Sequence, residues 1–250
     1  MQAGIFGIDW RPVYLVGGVA PIVVAPFLFL LPKSLPRAKN ILEASSSRLN
    51  IFSGLLGEGQ FYTTVFLWLS NFGTLLVMYL LLTWMPSLLV AMGLSQSQSQ
   101  YIQMLYNVGM TAGAATGGYL LDRKFLYSTP GTAFVALAMF LAVFGFLDLR
   151  FPIALMAAFG MGAMIAVAQA TLYAFAPLCY PASIRNTGVG AAVAAGRLGT
   201  IAGPLLAGSL LGAGKTAKNV LIILIPITLV SGIMSLLVVR FFTKRNTDTA

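Results

Sequence analysis

From Gly59 to Leu121 the chain carries no charged residue. No single helix can absorb so long an apolar run. About 20 mostly apolar residues cross the hydrocarbon core of a bilayer, so this stretch must hold at least two crossings. The polar tract Ser95 to Gln100, preceded by Pro86, Ser87 and Gly93, reads as the short turn between them. In hydrocarbon every backbone N–H and C=O must be satisfied inside the protein, which leaves helices and closed barrels. The ten-residue alternation of a membrane barrel is missing, so the crossings are read as helices.

The same measure applied to all 250 residues gives spans at roughly 13–32, 62–86, 100–121, 131–148, 153–176, 187–211 and 219–240. Composition agrees, at 58% hydrophobic and 8% charged with a mean hydropathy of +0.89, against about 25% charged in soluble domains. The fold class expected is an all-α integral membrane protein of seven transmembrane helices, with the lipid bilayer as its surroundings. Pro177 and Pro181 are expected to end the fifth span, because proline donates no backbone hydrogen bond. The polar segment from Lys33 to Gln60 is long enough to separate two bundles. The chain then divides into 1–32, a first span and its approach; 33–60, a connecting loop; 61–242, a six-helix bundle; and 243–250, a tail. No cleavable signal peptide is expected, since no short basic region with an apolar core and cleavage site opens the chain.

The formal net charge of +9 would point to nucleic acid in a soluble domain. Here the cations lie between apolar runs, where they set topology instead, and no nucleic-acid partner is expected. One side collects Lys33, Arg37, Lys39, Arg48, Arg123, Lys124, Arg185, Arg240, Lys244 and Arg245; the other has Arg11, Arg150, Lys215 and Lys218. The more basic side is the cytoplasmic one, which places the N-terminus outside and the C-terminus in the cytoplasm.

Enzymatic chemistry finds little support. The chain has no histidine and a single cysteine, Cys179, so histidine bases, histidine metal sites and an intrachain disulfide are all out of reach. No catalytic or metal-binding motif stands in it, and no cofactor is expected. Its six acids, Asp9, Glu43, Glu58, Asp122, Asp148 and Asp248, fall at span ends, in connectors or in the tail. A retinal protein would need a lysine inside the last span, and Asn219–Val239 has none.

Arg197 is the exception among the charges, because it lies inside a span. An arginine near a bilayer centre costs about 2.5–3.5 kcal/mol on insertion scales, so it is expected to meet an anion, pair with a carboxylate or snorkel to the interface. Other spans carry polar and aromatic side chains at helical spacing: Gln103, Tyr106 and Asn107 in the third span, Gln169 and Tyr173 in the fifth, Asn71, Tyr79, Thr83 and Trp84 in the second. Such groups avoid lipid and face a bundle interior or a cavity, or, as expected for Trp84 beside Pro86, join an aromatic belt at the membrane interface. Gly109, Gly113 and Gly117, and Gly199, Gly203, Gly208 and Gly212, form small-residue faces that let helices approach closely. Static packing and a surface that slides during transport both fit them.

Several of these residues also carry a likeness. Tyr180-Pro181-Ala182-Ser183-Ile184-Arg185-Asn186-Thr187-Gly188-Val189-Gly190, then Gly196-Arg197-Leu198-Gly199 and Gly203-Pro204-Leu205-Leu206-Ala207-Gly208, resemble the tenth and eleventh helices of the aromatic acid:proton symporters of the major facilitator superfamily. The likeness is to its 3-hydroxyphenylpropionate and 4-hydroxybenzoate transporters. Gly118-Tyr119-Leu120-Leu121-Asp122-Arg123 resembles the superfamily's G-x-L-x-D-R motif, and Trp10-Arg11 through Pro21 its sixth helix. Leu31-Pro32-Lys33-Ser34 departs from the family's L-P-E-S by reversing a charge.

The resemblance implies helices 6–12 of a twelve-helix permease in a bacterial inner membrane. It also implies that the protein imports aromatic acids together with protons, and that it works with an N-terminal half not present in this chain. Arg197, Gln169, Tyr173, Tyr79, Asn71, Tyr106 and Asn107 are then the expected substrate-facing residues, and Gly118, Asp122, Arg123 and Arg185 the expected gate. The proton-carrying acid is expected in the other half. The rival expectation is a non-transporting remnant, or one half of a split permease.

Overall fold

A computed structural model describes residues 60–122, 129–147 and 150–248, with a few isolated positions before them. Two compact units divide the chain, Met1–Ser46 and Ser47–Ala250, and the described helices belong to the second. They are α1 (Phe61–Ala91), α2 (Gln96–Asp122), α3 (Thr129–Phe146), α4 (Phe151–Cys179), α5 (Arg185–Gly212) and α6 (Ala217–Asp248). Among the described residues, α1 and α3 to α6 are long and apolar enough to cross a membrane. At 27 residues α2 is long enough, but its first turn is Gln96-Ser97-Gln98-Ser99. The span expected over 13–32 lies outside the described residues.

Most helices run longer than the hydropathy of the sequence predicts. Helix α1 continues through Pro86 to Ala91, and α4 through Pro177 to Cys179. A proline inside a helix removes one donor, whereas leaving the helix in hydrocarbon would strand several, so the helix absorbs the proline. The break comes at Met92-Gly93. Gly93 takes a φ of 96°, the left-handed conformation that favours glycine, and Leu94 N–H donates back to Leu89 O at 3.2 Å, closing α1 with a Schellman-type turn.

The Ser95–Gln100 tract, expected as a turn, is instead the start of α2. Gln98 N–H donates to Ser95 Oγ at 3.2 Å, and Ser95 N–H to Gln98 Oε1 at 3.1 Å. This reciprocal capping box satisfies two donors at the helix start. Serine and glutamine three residues apart were readable in the sequence as that signal.

Helix α2 packs along α4, α5 along α1, and α6 between α1 and α3, with α3 also against α4. The two closest pairings run on glycine. A Cβ at Gly109 or Gly113 would run into the backbone carbonyls of Phe159 and Ala163, and one at Gly162 into that of Tyr106. On the other pair, Gly199 and Gly203 lie against the carbonyls of Phe72 and Leu76. The stripe ends there: Gly208 has only Trp84 at 3.6 Å, and Gly212 has open space around it. Between the pairs lies an apolar core including Leu80, Leu81, Met85, Tyr106, Met161 and Ile165. Ser70 Oγ donates to Ser231 O at 2.9 Å and ties α1 to α6.

Replacing Gly113 by leucine should lower the melting temperature of the detergent-solubilised chain by about 5 °C or more, since overpacking costs about 1–3 kcal/mol. Gly212→Ala should leave it unchanged. Equal melting of the two variants would count against backbone contact as the reason for the stripe.

Candidate functional site

Polar groups inside the bundle gather where α1, α4 and α5 meet. Asn71 is fully buried on α1. Its Nδ2 donates to Leu67 O at 3.0 Å. That carbonyl can only accept, so the orientation of the Asn71 amide is fixed and Oδ1 is left as an acceptor. Gln169, 8% exposed on α4, donates to it through Nε2 at 3.3 Å. The chain of assignments makes the remaining group, Gln169 Oε1, an acceptor too. It is buried and has no hydrogen-bond partner. Gly196 of α5 lies against the Asn71 side of this pair: a Cβ there would meet Leu75 Cδ1 at 2.7 Å and Asn71 Cβ at 3.5 Å. One turn beyond Gln169 on α4, Tyr173 is 43% exposed. On α1 Tyr79 is half-buried.

Arg197 follows Gly196 and faces the other way. The buried face of α5 is Gly188, Ala192, Gly196, Gly199, Gly203 and Ala207. Arg197 lies on the opposite, exposed face with Leu198, Ile201 and Leu205. From Arg150 to Thr247 the sequence contains no acid, so no carboxylate within α4, α5 or α6 up to Thr247 can pair with it. Thr200 Oγ1 is committed to Arg197 O at 2.7 Å, and Pro204 removes the backbone donor that would otherwise reach Thr200 O.

Helix α2 separates residues that sequence spacing groups together. Tyr106 is completely buried in the core, and its hydroxyl has no partner. Asn107, 100° further round, is exposed with Val108 and Thr111. Gln103 is half-buried, and its Oε1 is buried without a partner. The outer faces of α2 and α5 therefore carry an amide and a guanidinium on spanning-length helices.

At the end where α4 gives way to α5, Arg185 opens α5 and its Nε donates to Tyr180 O at 3.3 Å. The Tyr180 ring lies under Gly188, where a Cβ would collide with it. Burial pushes the Tyr180 phenol above its ordinary range. The Arg185 charge thus has a structural task, pinning the α4–α5 turn. Gly118 is exposed, with open space around it. Asp122 closes α2 with its side chain outside what is described, and Arg123 lies outside the described residues. The Ser70–Ser231 tie was not legible in advance, because its partners are far apart in sequence.

Residues 2–177 match the Major Facilitator Superfamily, and the chain belongs to that family. It is 36% identical over 225 residues to the 3-(3-hydroxy-phenyl)propionate transporter of Escherichia coli (strain K12), covering 90% of this chain and 54% of the relative. It is 30% identical to the gallate transporter of Pseudomonas putida, covering 82% and 52%. It is 28% identical to the 4-hydroxybenzoate transporter PcaK of Pseudomonas aeruginosa, covering 86% and 55%. The chain spans about half the length of these relatives. They are transporters, not enzymes, and the expectation that this chain is not an enzyme stands with them.

Gln169→Leu should destabilise the chain by about 1–3 kcal/mol, the cost of a buried acceptor left unsatisfied at Asn71. Asn71→Leu together with Gln169→Leu should cost less than the sum of the single changes. Unfolding midpoints in a double-mutant cycle check this, and strict additivity would show that the two amides are not coupled.

Proposed function

We propose that the described helices are helices 7–12 of a twelve-helix permease and form one wall of a pathway for aromatic carboxylates. The observation that carries the reading is Arg197. It is an arginine exposed midway along a spanning helix, with no acid in α4 or α5, nor in α6 before Asp248. Lipid is a poor neighbour for it, and an anion is a good one. In folds of this kind substrate sites lie near the midplane between two halves. The exposed amide face of α2 and the exposed Arg197 face of α5 are suited to line such a space.

Within it, Arg197 holds the substrate carboxylate by a two-pronged hydrogen bond, and Tyr173, Tyr79 and Asn107 flank the ring. Gln169 Oε1, an acceptor lacking a donor, is suited to a ring hydroxyl once the wall opens. Asn71 orients Gln169. Tyr106, sealed in the core, acts on the pathway only through packing. Gly118, Asp122, Arg123 and Arg185 border the cytoplasmic gate. Uptake is coupled to protons in the inner membrane, with the N-terminus outside. The coupling acid is placed outside the described helices, since none of them has a carboxylate in its interior.

The test joins this chain to the first half of the Escherichia coli relative and measures uptake of labelled 3-hydroxyphenylpropionate. Arg197→Lys should raise KM about ten-fold, because a point charge replaces a planar fork. Unchanged kinetics would remove Arg197 from the site. Gln169→Met should reduce the preference for the hydroxylated acid over 3-phenylpropionate; a preserved preference would exclude Gln169 as the group that reads the hydroxyl.

A further inference from the structure

The exposed face of α2 does not end at Asn107. Tyr101, Met104, Asn107, Val108 and Thr111 are all exposed, and their helical spacing puts them on one side of the helix. Toward the start of α2 this side runs into a groove of about 430 Å³, lined by Tyr101, Met104 and Leu105 of α2 and by Phe151 and Leu155 of α4. That volume falls within the range of about 300–1,000 Å³ usual for small-molecule sites. Asn107 stands three residues past Met104, about 4.5 Å along the helix axis. The groove therefore continues the proposed substrate face toward the end of the bundle.

Its lining is apolar or aromatic. Met104 is 64% exposed and Tyr101 45%, so a thioether and a phenol ring stand open on one wall. Sulfur beside an aromatic ring is a favourable contact, and rings pack well edge-to-face or offset. A ring is thus well received, but a carboxylate needs a charged partner. That partner lies next to Phe151. The Phe151 ring also lines an adjoining cavity of about 350 Å³, together with Arg150 and Gln98, and Arg150 is exposed. Lys218 borders the same cavity but already has an interaction of its own, so the anion is assigned to Arg150. A ring slot and a guanidinium on consecutive residues suit a short molecule with a ring at one end and a carboxylate at the other.

We propose that Tyr101, Met104 and Phe151, with Arg150, form a second, outer subsite for the aromatic carboxylate, its ring in the groove and its carboxylate at Arg150. From here the acid moves along the α2 face toward Arg197. The subsite rests on the reading of α2 and α5 as walls of the pathway. In the orientation proposed above, α2 begins at the outer surface, so an incoming acid is held here first.

The test labels the methionine methyl groups of the chain with carbon-13, places the chain in nanodiscs and follows the Met104 signal by NMR as 3-phenylpropionate is added. Met104→Leu identifies that signal among the eleven methionines. The ring current of the acid should shift it, whereas 3-cyclohexylpropionate, of equal charge but without a ring current, should not. Arg150→Gln should raise the half-saturating concentration about five-fold, and the uncharged 3-phenylpropanol should bind more weakly than the acid by a similar factor. The remaining methionine signals report whether each variant keeps its fold. Arg197→Lys should leave the Met104 titration unchanged. A silent Met104, an equal shift from the cyclohexyl acid, equal binding of the alcohol or a titration indifferent to Arg150→Gln would each overturn the outer subsite. So would loss of the shift in Arg197→Lys, because one site would then account for both residues. The Arg197 site is judged separately, by uptake through the joined protein. A KM raised by Arg197→Lys beside a silent Met104 removes the outer subsite alone, and unchanged uptake beside an intact Met104 shift removes the Arg197 site alone.

Discussion

In hydrocarbon a leucine face gains nothing by leaving lipid for another leucine face, so the bundle depends on contacts that lipid cannot imitate. The principal ones are backbone against backbone. Gly109, Gly113 and Gly162 bring α2 and α4 together, and Gly199 and Gly203 bring α5 onto α1. Dispersion contacts are individually small, and only at such close range do enough of them accumulate to hold two helices in one register. Much of the rest of the arrangement follows from these pairings. The core fills the space between them, and α3 and α6 close one side.

The pairings also decide which faces remain unpartnered. A helix that turns its glycines inward turns its other side out. On α5 that other side carries Arg197, and on α2 it carries Asn107 and Thr111. Packing and polarity are thus allotted to opposite faces of the same helices. Asn71, Gln169 and Leu67 O form a short chain of donors and acceptors that ends on a single unmet oxygen. A buried acceptor of that kind costs free energy, which sets Gln169 Oε1 apart from the satisfied amide groups beside it.

Much of the fold was legible in advance, because hydropathy over about 20 residues tests for burial in lipid directly. Helix ends were read less well. Pro86 and Pro177 mark breaks in a soluble chain, whereas here the helix continues through both. Ser95 and Gln98 were read by their polarity as a turn, although their spacing spelled a helix cap. The glycine faces were readable from spacing, but which helix each would meet was not, since that is a property of the pairing. In the candidate site, Asn71 and Gln169 were both singled out, yet their bond joins residues 98 positions apart, and nothing local records it. Tyr106 and Asn107 show the remaining weakness. Neighbours in a helix point 100° apart, so a polar cluster in the sequence becomes one residue in the core and one outside.

Gly196 and Arg197 are consecutive, one against α1 and the other exposed. Because α5 is fastened to α1 at Gly196, Gly199 and Gly203, a force applied to the guanidinium is delivered to two helices at once. Pro204 lies just past the last of these fastenings, and the α5 backbone is one hydrogen bond weaker around Thr200. The stiff unit that an anion would grip is therefore one part of a two-helix beam, with its most compliant joint between Thr200 and Pro204, about one to two turns along α5 from the grip.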